Sequence, residues 1–380
     1  FLALIVSPLH AQKEAYRPFI SHTVQVQWPP QNVVLKGITT EAGEGAVLFD
    51  TELCRYAAAW TGGLLTFDGV VFNGKHGSNP RPVATPKMAT RPTPGVAFDG
   101  SFKDPREIPH GPLSREHARY RGLYLHDQGT VFSYTANGVG ILDKPDVKKT
   151  DGGLFITRTL NVESHANAVE LLICDVPNGK GELGKDSKSV TLQAGDAITV
   201  VKVAGDVALS VKEQGRVTLT LKSSKEEKKL NILIATGTKA NLEALKKAKT
   251  GSAMDLTPLT KGGKPRWTKT VTTKGIRASD DQAYVVDSIT PPLKNPYRAR
   301  MRIGGFDFFS DGRAALSTWD GDVWVVSGID DKLEKLTWKR YANGLFHGLG
   351  LKIVDDVVYV HGRDEITRVH DLNNDGDEDL

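Results

Sequence analysis

Asp371, Asn373, Asp375, Asp377 and Asp379 stand at alternate positions of the run Asp-Leu-Asn-Asn-Asp-Gly-Asp-Glu-Asp-Leu, which ends at Leu380. Gly376 holds its sixth place, where a sharp turn needs a residue free of a side chain. A hard divalent cation takes about six to eight oxygens, and alternate side chains on a tightly turning backbone converge on one point where consecutive ones do not. The spacing therefore predicts a calcium-binding loop. The twelfth place, where a bidentate acid closes such a shell, falls beyond Leu380, so the reading expects a shortened site and a chain that is a fragment. The competing reading of the same run is an acidic, disordered tail.

A second group of residues suits a sugar or a carboxylate. Lys75 and His76 lie between glycines in Asn-Gly-Lys-His-Gly at 73–77, and Trp60 closes the apolar run that begins at Arg55. An indole face stacks on a sugar ring while Lys and His supply hydrogen bonds. The alternative makes Trp60 a core residue and His76 a turn cap. His110, His117, His126 and His165 have no partner at zinc-ligand spacing, and no zinc site is expected.

These residues need a scaffold, and the composition points to strands joined by turns. The chain has 380 residues with 38 glycines and many short Val/Thr/Ile runs, enough for two to three domains. A net charge of +4 nominates neither nucleic acid nor a membrane surface as a partner. Residues 1–11 read as the tail of a secretory signal peptide, which places the protein in the periplasm or outside the cell. No later stretch approaches the roughly 18 apolar residues of a membrane-spanning helix. Residues 12–48 read as a leader with one edge strand near Thr23–Gln27. Residues 49–150 read as an N-terminal β domain, with Asp68-Gly69 as a hairpin signal and a proline-rich loop over 73–112. Over 151–283 the alternation in runs such as Leu154–Leu160 and Val217–Leu221 predicts a β-sandwich-like region, with one short amphipathic helix at 239–249. Residues 180–275 carry 19 Lys/Arg against 9 Asp/Glu, yet the lysines alternate with apolar residues and aromatic rings are almost absent. Solvated strand faces explain them better than a nucleic-acid surface. Cys54 and Cys174 either pair across a long loop or remain buried thiols.

A repeat closes the chain. At a constant offset of 35, Leu316 falls on Leu351, Asp320 on Asp355, Val323 on Val358, Trp324 on Tyr359 and Val325 on Val360. Each copy reads as a strand, an Asp-containing turn and a strand, so residues 284–380 predict stacked β-propeller blades, about two of them. The fold class expected is all-β, with blade-like and sandwich-like parts.

Two sets of motifs resemble known families. Phe-Asp-Thr-Glu-Leu at 49–53, Ala-Trp-Thr-Gly-Gly-Leu at 59–64, Asn-Gly-Lys-His-Gly at 73–77, Gly-Ser-Phe-Lys-Asp-Pro-Arg at 100–106 and Tyr-Arg-Gly-Leu-Tyr-Leu at 120–125 resemble an uncharacterised N-terminal domain of large secreted bacterial proteins. Gly-Phe-Asp-Phe-Phe-Ser-Asp-Gly at 305–312, Thr-Trp-Asp-Gly-Asp-Val-Trp at 318–324 and the stretch from Leu349 to Gly376 resemble the propeller of sorbosone and glucose dehydrogenases that use pyrroloquinoline quinone. That resemblance implies an exported oxidoreductase acting on sugars or polyols, with calcium and the quinone as cofactors and electrons passed to a c-type cytochrome domain. This chain has no Cys-x-x-Cys-His haem motif, so the haem would lie beyond it. The resemblance also implies a base, for which His347 between glycines is the candidate, and cations for the quinone carboxylates, for which Arg363 and Arg368 are candidates. The rival function is a non-catalytic surface module that binds polysaccharide or a partner protein. Hydrolysis trails both, since neither a nucleophile elbow nor a paired-carboxylate motif occurs.

Overall fold

In the computed structural model the described residues are 18–28, 31–67, 79–151, 153–281 and 283–380. They are almost entirely β and turn, and they fall into two units: 21–264 with 370–380, and 265–369 with 18–20.

The larger unit is built from two eight-stranded sheets, antiparallel in the strand pairs of the described residues. One runs in the order Phe19–Trp28, Gln31–Ala42, Gly45–Asp50, Arg55–Thr61, Met88–Ala89, Val169–Asp175, Arg216–Leu221, Val207–Lys212. The other runs Lys180–Leu183, Ser189–Ala194, Ala197–Ala204, Lys228–Thr238, Gly153–Val162, Val139–Thr150, Gly129–Ala136, Ala118–His126. Alternate side chains point to opposite faces of a strand, and Leu154, Ile156, Arg158 and Leu160 all turn inward while Phe155, Thr157 and Thr159 between them are half exposed. The inner faces meet in an aromatic layer, where Phe49 stacks on Phe132 at 4.6 Å and meets Tyr56 edge-on at 5.3 Å. The residues expected as a leader supply the two long strands Phe19–Trp28 and Gln31–Ala42. The expected boundary after residue 150 lies in the turn of a hairpin, with Thr150 paired to Gly153 and the register running on to Ile141 and Val162. Hydrogen bonding crosses that point, so the sandwich includes both regions. The expected helix is the short turn Lys239–Asn241 followed by Leu242–Lys247, and Leu245 anchors it against Ile198, Val200 and Leu233. Cys54 and Cys174 are both buried free thiols, and burial, with Asp50 and Asp175 respectively adding to it, pushes both well above the ordinary thiol range. The Asp68-Gly69 hairpin signal lies outside the described residues.

The smaller unit holds a five-stranded sheet in the order Thr270–Thr273, Leu336–Ala342, Val323–Ser327, Ala314–Thr318, Ile303–Phe308, and a three-stranded sheet Gly350–Val354, Val357–His361, Ile366–Val369. Val323 and Val325 share one buried cluster with Val358 and Val360, so the 35-residue repeat places its equivalent valines face to face. The opposite face of the larger sheet is covered by Trp324, Trp338 and Leu336 packed with Tyr297 and Met301. Asp307 ties the sheets together, accepting from the Ile353 amide at 2.9 Å and from Lys352 at 2.7 Å, which holds its carboxyl down at about 2. Neither sheet closes into a ring. No helix among the described residues is long and apolar enough to cross a membrane.

Candidate functional site

The larger unit carries a cavity of about 630 Å³ where one end of its second sheet meets the first. Four adjacent strands of that sheet supply it: the Val139–Thr150 and Gly153–Val162 hairpin brings Lys149, Thr150, Asp151, Gly153 and Leu154, while Ala197–Ala204 and Lys228–Thr238 bring Ile198, Thr199, Thr236, Gly237 and Thr238. The first sheet adds Thr61 at the end of Arg55–Thr61, with Pro86 and Lys87 from the segment before Met88–Ala89. Such a gathering needs close strand approach. A side chain on Gly153, whose φ is 140°, would meet the Thr236 carbonyl at 2.0 Å, so glycine is required there. Leu154 and Ile198 are buried beneath the cavity, and Lys87, Lys149, Asp151 and Asp196 are exposed at its mouth. The walls are threonine hydroxyls and Asn241, whose carbonyl accepts the Thr238 hydroxyl at 2.9 Å. Among the described residues, no His, Cys or aromatic ring lines the cavity. The arrangement offers many hydrogen-bonding groups over an apolar floor, which suits holding a hydroxyl-rich molecule.

Of the residues expected to bind sugar, Trp60 is fully buried and its indole N–H donates to the carbonyls of Gly63 at 2.9 Å and Leu64 at 3.0 Å. It presents no face for a sugar, and its place is the core: the strand Arg55–Thr61 is covered on both sides along Arg55–Trp60. Lys75 and His76 lie outside the described residues.

His347 takes a left-handed backbone with φ at 51°, and its ring stacks on Trp319 at 4.5 Å and on Phe346 at 4.1 Å, leaving the residue 7% exposed. Arg363 lies over the Phe346 ring at 6.0 Å, whereas Arg368 projects from the strand Ile366–Val369 opposite Tyr359. A planar quinone needs an open face and a base with an open approach, and an imidazole covered by two rings gives neither. These three residues do not form a quinone seat.

The acidic run turns as its spacing predicts. Asp371 accepts from the amides of Asp375 at 3.1 Å and Gly376 at 2.7 Å, Asn373 accepts from Asp375 at 3.1 Å, and Gly376 has φ at 81°. The later acids accept from amides inside and outside the run. Asp377 accepts from the Glu378 amide at 3.1 Å, and Asp379 accepts from the amides of Gly263 at 3.1 Å and Leu372 at 2.9 Å. Among the described residues no three His, Cys, Asp or Glu side chains gather as a metal site. The oxygen chemistry of Asp371, Asn373 and Asp375 suits calcium, but the five expected ligands do not converge as a set.

Residues 47–143 match the model of DUF6797, a domain of unknown function. The match covers about a quarter of the chain. It includes Trp60 and strands from both sheets, but the cavity residues from Lys149 to Asn241 lie outside it. No curated protein matches the chain. Sequence reasoning missed the cavity because its threonines stand singly at strand ends far apart in the chain. The signal present was modest: polar β-branched residues at the ends of otherwise apolar runs, as in Ile234-Ala235-Thr236.

Proposed function

We propose that this chain is an exported, non-catalytic β module that binds saccharide in the cavity of its larger unit. The observation that carries this reading is the cavity's lining, with five threonines, Asn241 and mouth carboxylates over Leu154 and Ile198. Sugar hydroxyls both donate and accept, and threonine, amide and carboxylate groups answer both roles. Titration calorimetry of the full chain against soluble glycans tests it. Binding of a neutral glycan that weakens about tenfold or more in Asp196→Ala with Asn241→Ala is the expected result, and equal affinity in that variant sinks the cavity as the site.

A second reading, a quinone-dependent sugar or polyol dehydrogenase feeding a cytochrome domain, draws support from the repeated strand-turn-strand sheets of the smaller unit, which are what propeller blades are made of. It keeps sugar as the substrate class but gives the quinone no seat among His347, Arg363 and Arg368. In either reading calcium would sit at the turn of Asp371, Asn373 and Asp375 and fix a connection rather than act as a sensor. The expected outcome is a higher melting temperature of the full chain in millimolar calcium, reversed by chelator; an unchanged melt removes calcium from the account.

A further inference from the structure

The lysine excess over 180–275 is not spread evenly over strand faces. Lys188, Lys202, Lys247 and Lys249 line one hollow of about 630 Å³ in the larger unit, opposed there by the single carboxylate of Asp186. Two of the four are held in place. Lys202 donates to the Lys246 carbonyl and, at 2.8 Å, to the Ala248 carbonyl, capping the end of the helix Leu242–Lys247, and Lys188 donates to the carbonyls of Gly205 at 2.6 Å and Val207. Lys247 and Lys249 are exposed at the mouth. Among the described residues none of the four forms an ion pair; the pairs of this region use Lys212, Lys228 and Lys229 instead. Four ammonium groups around a hollow, two of them fixed by backbone carbonyls, make a local field that favours an anion and raises its concentration nearby.

The chemistry narrows the partner. No Phe, Trp or Tyr occurs between residues 180 and 264, so bases of a single-stranded nucleic acid would find no ring to stack on. All four cations are lysine, a compact point charge that meets an anionic group singly rather than through the planar fork of arginine. Ser189, Thr250 and Ser252 add hydroxyls to the lining. We infer that this hollow binds the sulfate or carboxylate groups of an anionic polysaccharide. It goes beyond the neutral-saccharide cavity and uses none of its residues.

The test titrates the full chain with dextran sulfate, polygalacturonate, neutral dextran and a single-stranded DNA of matched charge, at low and moderate salt. Expected is binding to at least one anionic polysaccharide, weakening as salt rises, and falling about tenfold or more in Lys247→Glu with Lys249→Glu. The double change lies at the exposed mouth, and an unaltered melting curve checks that it leaves the fold intact. The sulfate and uronate arms separate the two anionic groups. Binding of neutral glycan, lost in Asp196→Ala with Asn241→Ala, stays unchanged in the lysine pair, so failure of one site is told apart from failure of the other. Absence of polyanion binding, affinity unchanged in the lysine pair, or tighter binding of the DNA than of either polysaccharide each overturns the proposal.

Discussion

Asp143→Ala is expected to cost the larger unit about 3–5 kcal/mol, a loss on the order of 10 °C in Tm. Asp143 is fully buried between the two sheets and accepts from three side chains: the Tyr56 hydroxyl at 3.0 Å, the Tyr134 hydroxyl at 3.1 Å and the Arg158 guanidinium at 2.5 Å. Arg158, 3% exposed, also lies over the Tyr56 ring at 4.4 Å. Burial pulls against the guanidinium charge, but Asp143 outweighs it and holds Arg158 above its usual value. Burial, with the Asp143 charge behind it, pushes both phenols well above theirs. Removing the carboxylate leaves one buried cation and two buried hydroxyls without their acceptor, and an uncompensated buried charge is the costly half of such a pair. Urea unfolding followed by far-ultraviolet dichroism reads the effect. Replacing both charges, Asp143→Leu with Arg158→Met, should recover much of the loss because the hydrophobic pair needs no counter-charge. A single variant within about 1 kcal/mol of the natural chain would falsify the account.

Asp322→Ala should cost the smaller unit a similar amount, about 3–5 kcal/mol, for a related reason with a different geometry. Arg340 is fully buried, bonds to Asp322 and lies over Trp267 at 4.2 Å and Tyr297 at 5.3 Å. Its Nε and Nη1 have no hydrogen-bond partner among the described residues, so ring faces take the place of acceptors on that side. Asn343 also donates to Asp322 at 3.2 Å. Removing one flanking ring, Trp267→Leu, should cost less cation–π energy, about 1–2 kcal/mol, plus the packing of a buried indole. Equal melting of Asp322→Ala and the natural chain would show that the rings alone hold the guanidinium.

Much of the fold was legible where one face of a strand is dry. Leu154 to Leu160 alternates because its strand is central with one packed face, and the offset-35 repeat exposed the valines that meet in the smaller unit's core. Trp60 was read in two ways because a strand covered on both faces loses its alternation and looks the same as an apolar run feeding a site. Pairing across the turn between Thr150 and Gly153 was not read, because hydrogen bonding leaves no mark in composition. The two hollows left little trace in the sequence. Thr61, Thr199 and Thr236 become neighbours only once sheet order is fixed, and Lys188 meets Lys249 through a register that no local pattern encodes. Within the acidic run, spacing predicted the turn correctly but not where its later acids are spent, since Asp379 answers to Gly263, a residue distant in sequence.

That last bond has an architectural consequence. The chain leaves the larger unit after Lys264 and returns to it at His370. Beside those two crossing points, Asn373 donates to the Gly263 carbonyl at 2.8 Å, the Gly263 amide donates to Asp379, and the Leu125 amide donates to the Asp379 carbonyl at 2.8 Å. Residues 265–369 are thus an insertion in the chain of the larger unit, and the two chain segments that flank it are bonded to each other within that unit.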